Sequence, residues 1–203
     1  MKKLYLVTNS DKYTEEEFLK RVEDALKGGV DILQLREKEK TDLEILKLGK
    51  KVKALSDKYK LPLLLDDKPH LAWALGCGVH LGADDMPVNL ARKLLGENTI
   101  IGATAKSVEA AKRAQKDGAN YLGVGAIYET KTHVKTKRTS IETFKRIKEN
   151  VDIDVYAIGG LNYDNIDILK NTGFDGICVV RAIMDAKSVF EETKKLKEKI
   201  QNL

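Results

Sequence analysis

The segment Gln34-Leu35-Arg36-Glu37-Lys38 sets an amide and two cations at alternating positions. In an extended strand, alternation sends Gln34, Arg36 and Lys38 to one side. If that side faces inward, its cations lack partners unless an anion sits nearby. Arg offers a planar fork to phosphate oxygens and Lys a point charge, so the segment reads as a phosphate-binding edge. A solvated cluster of loop charges is the other reading. Asp66-Asp67 and Asp84-Asp85 end two later segments. Two or three carboxylates beside a diphosphate suit Mg²⁺, which takes one or two carboxylates together with water and phosphate oxygens. One aspartate of each pair could instead cap a helix. Gly159-Gly160 and Val180-Arg181 follow two further apolar runs. Glycine lets the backbone approach a phosphate closely, though such a pair also makes a plain turn. Finally, Gly123 to Thr130-Lys131-Thr132-His133 opens a long basic stretch with Lys135, Lys137 and Arg138. It reads as a binding segment or as a solvated loop.

Other reactive-looking residues read as structural. His80 lies inside Val79-His80-Leu81 and fits a hydrogen-bonded interior histidine. Trp73 reads as packing, and Ser56 and Ser107 have no His–Asp partner in the sequence. Cys77 and Cys178 form neither a CxxC nor a metal spacing, so two reduced core thiols are expected.

The elements that must position these groups repeat as one unit: a short apolar run, a turn, then an amphipathic helix. The runs are Leu4–Thr8, Asp31–Arg36, Leu61–Asp66, Gly78–Gly82, Thr99–Thr104, Tyr121–Gly125, Val155–Gly159 and Gly176–Val180. They are nearly continuous rather than alternating, as parallel strands covered by helices require. Helices are expected over Glu15–Lys27, Asp42–Tyr59, Pro69–Leu75, Val88–Leu94, Val108–Lys116, Ile141–Glu149, Asn165–Asn171 and Val189–Ile200. Gly28-Gly29, Gly118 and Gly173 supply C-cap chemistry before the next strand. Eight consecutive βα units predict a closed (β/α)₈ TIM barrel, an α/β fold, formed by residues 1–203 as a single domain. Sites in such barrels form where strands end, and that is where the polar groups above fall.

Bulk properties narrow the function classes. Of 203 residues, 42% are hydrophobic, enough for a core. The 36 basic and 31 acidic residues give +5, spread along the chain without an Arg–aromatic stripe. That argues for a solvated surface over a nucleic-acid partner, and a mild positive charge still attracts phosphorylated metabolites. The opening apolar run is only Leu4-Tyr5-Leu6-Val7, which reads as a strand and not as a signal peptide. No run reaches the roughly 18 apolar residues of a membrane span. A soluble, cytoplasmic protein is expected, with homo-oligomerisation open.

Taken in order, QLREK, LLLDD, GVHLGADDMP, IIGAT, GAIYETKT, AIGGL and GICVVRAI resemble thiamine phosphate synthases along nearly the whole chain. The resemblance implies a (β/α)₈ barrel that transfers hydroxymethylpyrimidine from its diphosphate to hydroxyethylthiazole phosphate with Mg²⁺. It implies that Gln34, Leu35, Arg36, Glu37 and Lys38 hold the pyrimidine diphosphate and that Asp67 and Asp85 bind Mg²⁺. Thr130, Lys131, Thr132, Gly160, Val180 and Arg181 correspond to the thiazole phosphate site. Arg36, Lys38 and Thr104 take the catalytic positions, Thr104 replacing the family's usual serine and keeping its hydroxyl. Asp66 stands where the family usually has Asn, and His133 where it has a diphosphate-binding Lys. Both changes make the diphosphate site less positive. A thiazole tautomerase of similar sequence, a phosphate-binding epimerase or isomerase, and a non-catalytic ligand-binding barrel are the alternatives. Mg²⁺-dependent diphosphate release separates them.

Overall fold

A computed structural model describes residues 1–129 and 138–203. Eight strands close into a parallel barrel in sequence order. They are β1 (Lys3–Val7), β2 (Ile32–Leu35), β3 (Leu63–Asp66), β4 (Gly78–Leu81), β5 (Ile101–Ala105), β6 (Tyr121–Gly125), β7 (Asp154–Ile158) and β8 (Gly176–Val179). The helices are α1 (Glu15–Gly28), α2 (Asp42–Lys58), α3 (Pro69–Leu75), α4 (Val88–Leu95), α5 (Val108–Lys116), α6 (Ile141–Lys148), α7 (Arg181–Met184) and α8 (Val189–Gln201). Every strand expected from sequence is present, with ends within two residues.

The strands are apolar on both sides because both sides are buried. Leu4, Leu6, Leu33, Leu35, Leu63 and Leu65 face outward into the core shared with the helices. Tyr5, Ile32, Leu64, Tyr121, Tyr156 and Cys178 fill the barrel itself. Three tyrosine rings cross there, with centroids 5.7 Å (Tyr5–Tyr121), 6.1 Å (Tyr5–Tyr156) and 5.0 Å (Tyr121–Tyr156) apart. Their bulk is accommodated by glycine on a neighbouring strand. A Cβ at Gly102 would sit 2.0 Å from Tyr121 Cζ. Gly102→Ala is therefore expected to cost about 3 kcal/mol of stability by overpacking. Thermal unfolding should show Tm lowered by roughly 6–12 °C. An unchanged Tm would mean that the Tyr121 ring can move aside.

Reciprocal capping boxes, Thr14 with Glu17 and Thr41 with Glu44, start α1 and α2. Two expectations fail, and one short helix was not foreseen. Asn165–Asn171 contains only a 3₁₀ turn, Ile166–Leu169, because its two buried residues recur at a spacing of three. Helix α7, at four residues, is too short to show any periodicity in the sequence. Trp73 does not pack inside: it is 66% exposed on α3. Both cysteines are free and buried. Among the described residues, no helix is long and apolar enough to cross a membrane.

Candidate functional site

The polar strand ends converge at one mouth of the barrel. Gln34 turns inward from β2 and is nearly fully buried. Its amide Nε2 donates to Asp66 Oδ1 at 2.6 Å, and its Oε1 accepts from Tyr5 OH at 2.6 Å. Asp66 Oδ2 lies 2.8 Å from Lys38 Nζ and 3.6 Å from Arg36 Nε. Lys38 Nζ also pairs with Asp67 Oδ2. Arg36 and Lys38 thus share one side, as alternation requires, but they are not unpartnered. Two carboxylates, Asp66 ending β3 and Asp67 just after it, supply their counter-charge in the free protein.

The same alternation sends Leu35 and Glu37 away from the mouth. Leu35 is buried in the outer core. Glu37 Oε2 accepts from Ser10 Oγ and Lys40 Nζ, each at 2.7 Å. Neither side chain joins Arg36 and Lys38, so any contact they make with a ligand there falls to their backbone.

Asp67 adopts a left-handed conformation, φ 59°, which short polar side chains tolerate better than others. Its N–H donates to His80 O at 2.9 Å, tying the end of β3 to β4. Asp85 Oδ2 accepts from Gly82 N–H at 2.6 Å and holds the turn after β4. Neither aspartate pair caps a helix. Lys68 and Pro87 occupy the N-cap positions of α3 and α4, without side-chain caps. Asp67 and Asp85 follow hydrogen-bonded neighbouring strands. Each has one oxygen tied, Asp67 to Lys38 and Asp85 to Gly82 N–H. Among the described residues, no three His, Cys, Asp or Glu side chains form a metal-holding group. A cation there must draw its other ligands from water and phosphate, which fits a hard, oxygen-seeking Mg²⁺.

His80 is the hydrogen-bonded interior histidine expected from its context. Its Nδ1 lies 2.9 Å from Tyr121 OH and its Nε2 3.0 Å from Thr104 Oγ1. Burial lowers its pKa, which favours the uncharged ring. Burial likewise raises the pKa of Tyr5 and Tyr121. Thr104 faces inward from β5 above His80.

On the far side of the mouth, Gly159 and Gly160 have φ 102° and 66°. A Cβ on Gly160 would meet Tyr128 Cβ at 2.7 Å and Glu129 O at 2.8 Å, so only glycine fits beneath the chain leaving β6. Tyr128 N–H donates to Gly159 O at 3.0 Å, holding that chain against β7. Thr130, Lys131, Thr132 and His133 come directly after it and lie outside the described residues. Val180 precedes α7, and Arg181 Nε reaches back to Asp185 Oδ2 at 2.9 Å. Between the ends of β1, β2 and β8 lies a cavity of about 520 Å³ whose lining includes Lys12, Arg36, Lys38, Val180 and Arg181. Its four cations, which suit phosphorylated ligands, share the lining with Asp11, Glu39 and Asp185, and Asp185 already pairs with Lys12 and Arg181. Lys12 was not singled out in the sequence, because it lies four residues past Thr8, beyond the strand end that marks a barrel site.

A family model described as thiamine monophosphate synthase matches residues 4–183. The chain belongs to the thiamine monophosphate synthase family. Thiamine-phosphate synthase 2 of Streptococcus pneumoniae is 45% identical over 202 residues, covering 99% of this chain and 96% of that one. A thiamine-phosphate synthase of Campylobacter jejuni is 48% identical over 198 residues, covering 97% and 93%. The solved thiamine phosphate pyrophosphorylase of Pyrococcus furiosus superposes with a TM-score of 0.89 at 36% identity, covering 98% and 96%. Membership of the thiamine monophosphate synthase family agrees with the motif resemblance and with the closed barrel.

Proposed function

We propose that this protein is a cytoplasmic thiamine-phosphate synthase, working as one barrel domain. It joins hydroxymethylpyrimidine, carried as its diphosphate, to the nitrogen of hydroxyethylthiazole phosphate and releases diphosphate. The observation that carries this reading is the cluster of Arg36, Lys38, Asp66 and Asp67 at the edge of a cavity that Lys12 and Arg181 also line, in a chain of this family.

The thiazole nitrogen bears no proton, so the displacement needs no general base. That agrees with the placement of His80, half-buried behind Thr104 with both ring nitrogens hydrogen-bonded. The protein must neutralise the departing diphosphate and hold the nucleophile close. Arg36 and Lys38 do the first, exchanging the Asp66 and Asp67 carboxylates for phosphate oxygens. Gly160, Val180 and Arg181, with Thr130, Lys131 and Thr132, hold the thiazole phosphate. Gln34 and Thr104 face the pyrimidine, and His133 adds a diphosphate contact in place of a lysine. Asp67 and Asp85 would hold Mg²⁺, which would supply charge neutralisation to the leaving diphosphate.

A coupled assay with both substrates tests this. Thiamine phosphate and diphosphate should appear in equal amounts, and only with Mg²⁺ present. Metal-independent isomerisation of a thiazole substrate alone would overturn the reading in favour of a tautomerase.

A further inference from the structure

We infer that a chain of six hydrogen-bonded side chains fixes the direction of the Thr104 hydroxyl. Its lone pairs face the barrel mouth, so it acts there as an acceptor. The inference rests on the synthase reading for the identity of its ligand.

The direction follows from counting protons along the chain. A carboxylate only accepts, so Gln34 must turn its Nε2 to Asp66 Oδ1 and its Oε1 to Tyr5. Tyr5 spends its one proton on Gln34. The 2.8 Å contact between Tyr5 OH and Tyr121 OH therefore has Tyr121 as donor. Tyr121 has then spent its proton too. At 2.9 Å, His80 Nδ1 must donate to it. An uncharged imidazole with its proton on Nδ1 has a lone pair on Nε2. Thr104 Oγ1, 3.0 Å away, donates into that lone pair.

Register supplies the rest. His80 is paired with Gly102, two residues before Thr104 on β5, so it lies deeper in the barrel. The Thr104 proton points down, and its lone pairs point toward the ends of the strands. The fold makes room for this chain with two glycines. Gly102 clears the Tyr121 ring, and a Cβ on Gly123 would lie 3.1 Å from His80 Cε1. The His80 and Tyr121 rings stack at 29°, which holds both orientations.

An obligate acceptor at this point suits a ligand that donates. An amino-substituted pyrimidine presents N–H there, and the negative end of the hydroxyl dipole faces the cation that forms when diphosphate departs. Tyr5, Tyr121 and His80 are thus positioning residues. They touch no substrate, and they decide which end of Thr104 does.

Nitrogen-15 NMR of the ligand-free protein reads the polarity directly, because the chain has only 3 histidines and a His80→Asn control assigns the signal. We expect a protonated Nδ1 and an unprotonated Nε2. A protonated Nε2 overturns the inference. Tyr121→Phe should remove the single tautomer and lower kcat/KM for the pyrimidine diphosphate about three- to tenfold, the loss of one hydrogen bond. KM for the thiazole phosphate should hold. Tyr5→Phe breaks the chain one link further away and should move the same two readouts in the same direction. Equal losses for both substrates with an unchanged tautomer would mean packing alone and overturn the inference. If the unaltered protein forms no thiamine phosphate, the synthase reading and the ligand assignment fail together, while the NMR result still decides the polarity.

Discussion

Asp67→Asn should reduce kcat/KM at saturating Mg²⁺ by a hundredfold or more while the barrel stays folded. Asparagine is the variant of choice because of the backbone. Asp67 sits at φ 59°, which Asn tolerates and Ala does not, so Asp67→Ala would mix strain with loss of charge. Asparagine removes the charge that a Mg²⁺ ligand needs and leaves the N–H bond to His80 O in place. Asp85→Asn is its companion, since an amide oxygen can still accept from Gly82 N–H. Each substitution leaves one carboxylate where the proposed metal site has two. About 2.7 kcal/mol of lost charge stabilisation corresponds to the hundredfold figure. Steady-state kinetics across a Mg²⁺ titration, with Tm beside them, give the check. Near-normal turnover in either variant, or wild-type activity that survives EDTA, would remove both residues from the metal site.

Much of this architecture was legible because it is local. Each strand announces itself as a run buried on both faces, and each helix by its apolar spacing and its cap. The alternation that grouped Gln34, Arg36 and Lys38 also pointed Leu35 and Glu37 elsewhere. That signal was present in the sequence, although the family resemblance assigned all five to one ligand. What could not be read was contact across the barrel. Tyr5 and Tyr121 are 116 residues apart and meet only because β1 and β6 face one another inside the closed sheet. Nor did the sequence reveal that Asp66, in a position the family usually gives to Asn, would sit 2.8 Å from Lys38. A charge change at a strand end has meaning only once its neighbour on the next strand is known. Thr130 to His133 lie outside the described residues, so their roles remain expectations drawn from sequence.

That pairing gives Lys38→Ala two effects of opposite sign. In the free protein, Lys38 is bound to both Asp66 and Asp67, so at the proposed metal site it would compete with Mg²⁺ for Asp67. Removing it leaves two adjacent carboxylates whose remaining cationic partner among the described residues is Arg36, at 3.6 Å from Asp66. Local negative charge rises, and Mg²⁺ should bind the substrate-free variant more tightly than the wild type. The pyrimidine diphosphate should bind more weakly, by about tenfold or more, because a charge-assisted contact worth roughly 1.5–3 kcal/mol is gone. Arg36→Ala removes a cation that does not reach Asp67. It should weaken the diphosphate similarly and change free Mg²⁺ affinity less. Neither variant should alter affinity for the thiazole phosphate, whose proposed contacts lie after β7 and β8. Calorimetry with Mg²⁺ alone, then with each substrate, separates these effects. Weaker Mg²⁺ binding in Lys38→Ala would mean that Asp67 is not the carboxylate that Mg²⁺ and Lys38 share. Equal losses for both substrates would mean that Lys38 serves the whole mouth and not the diphosphate alone.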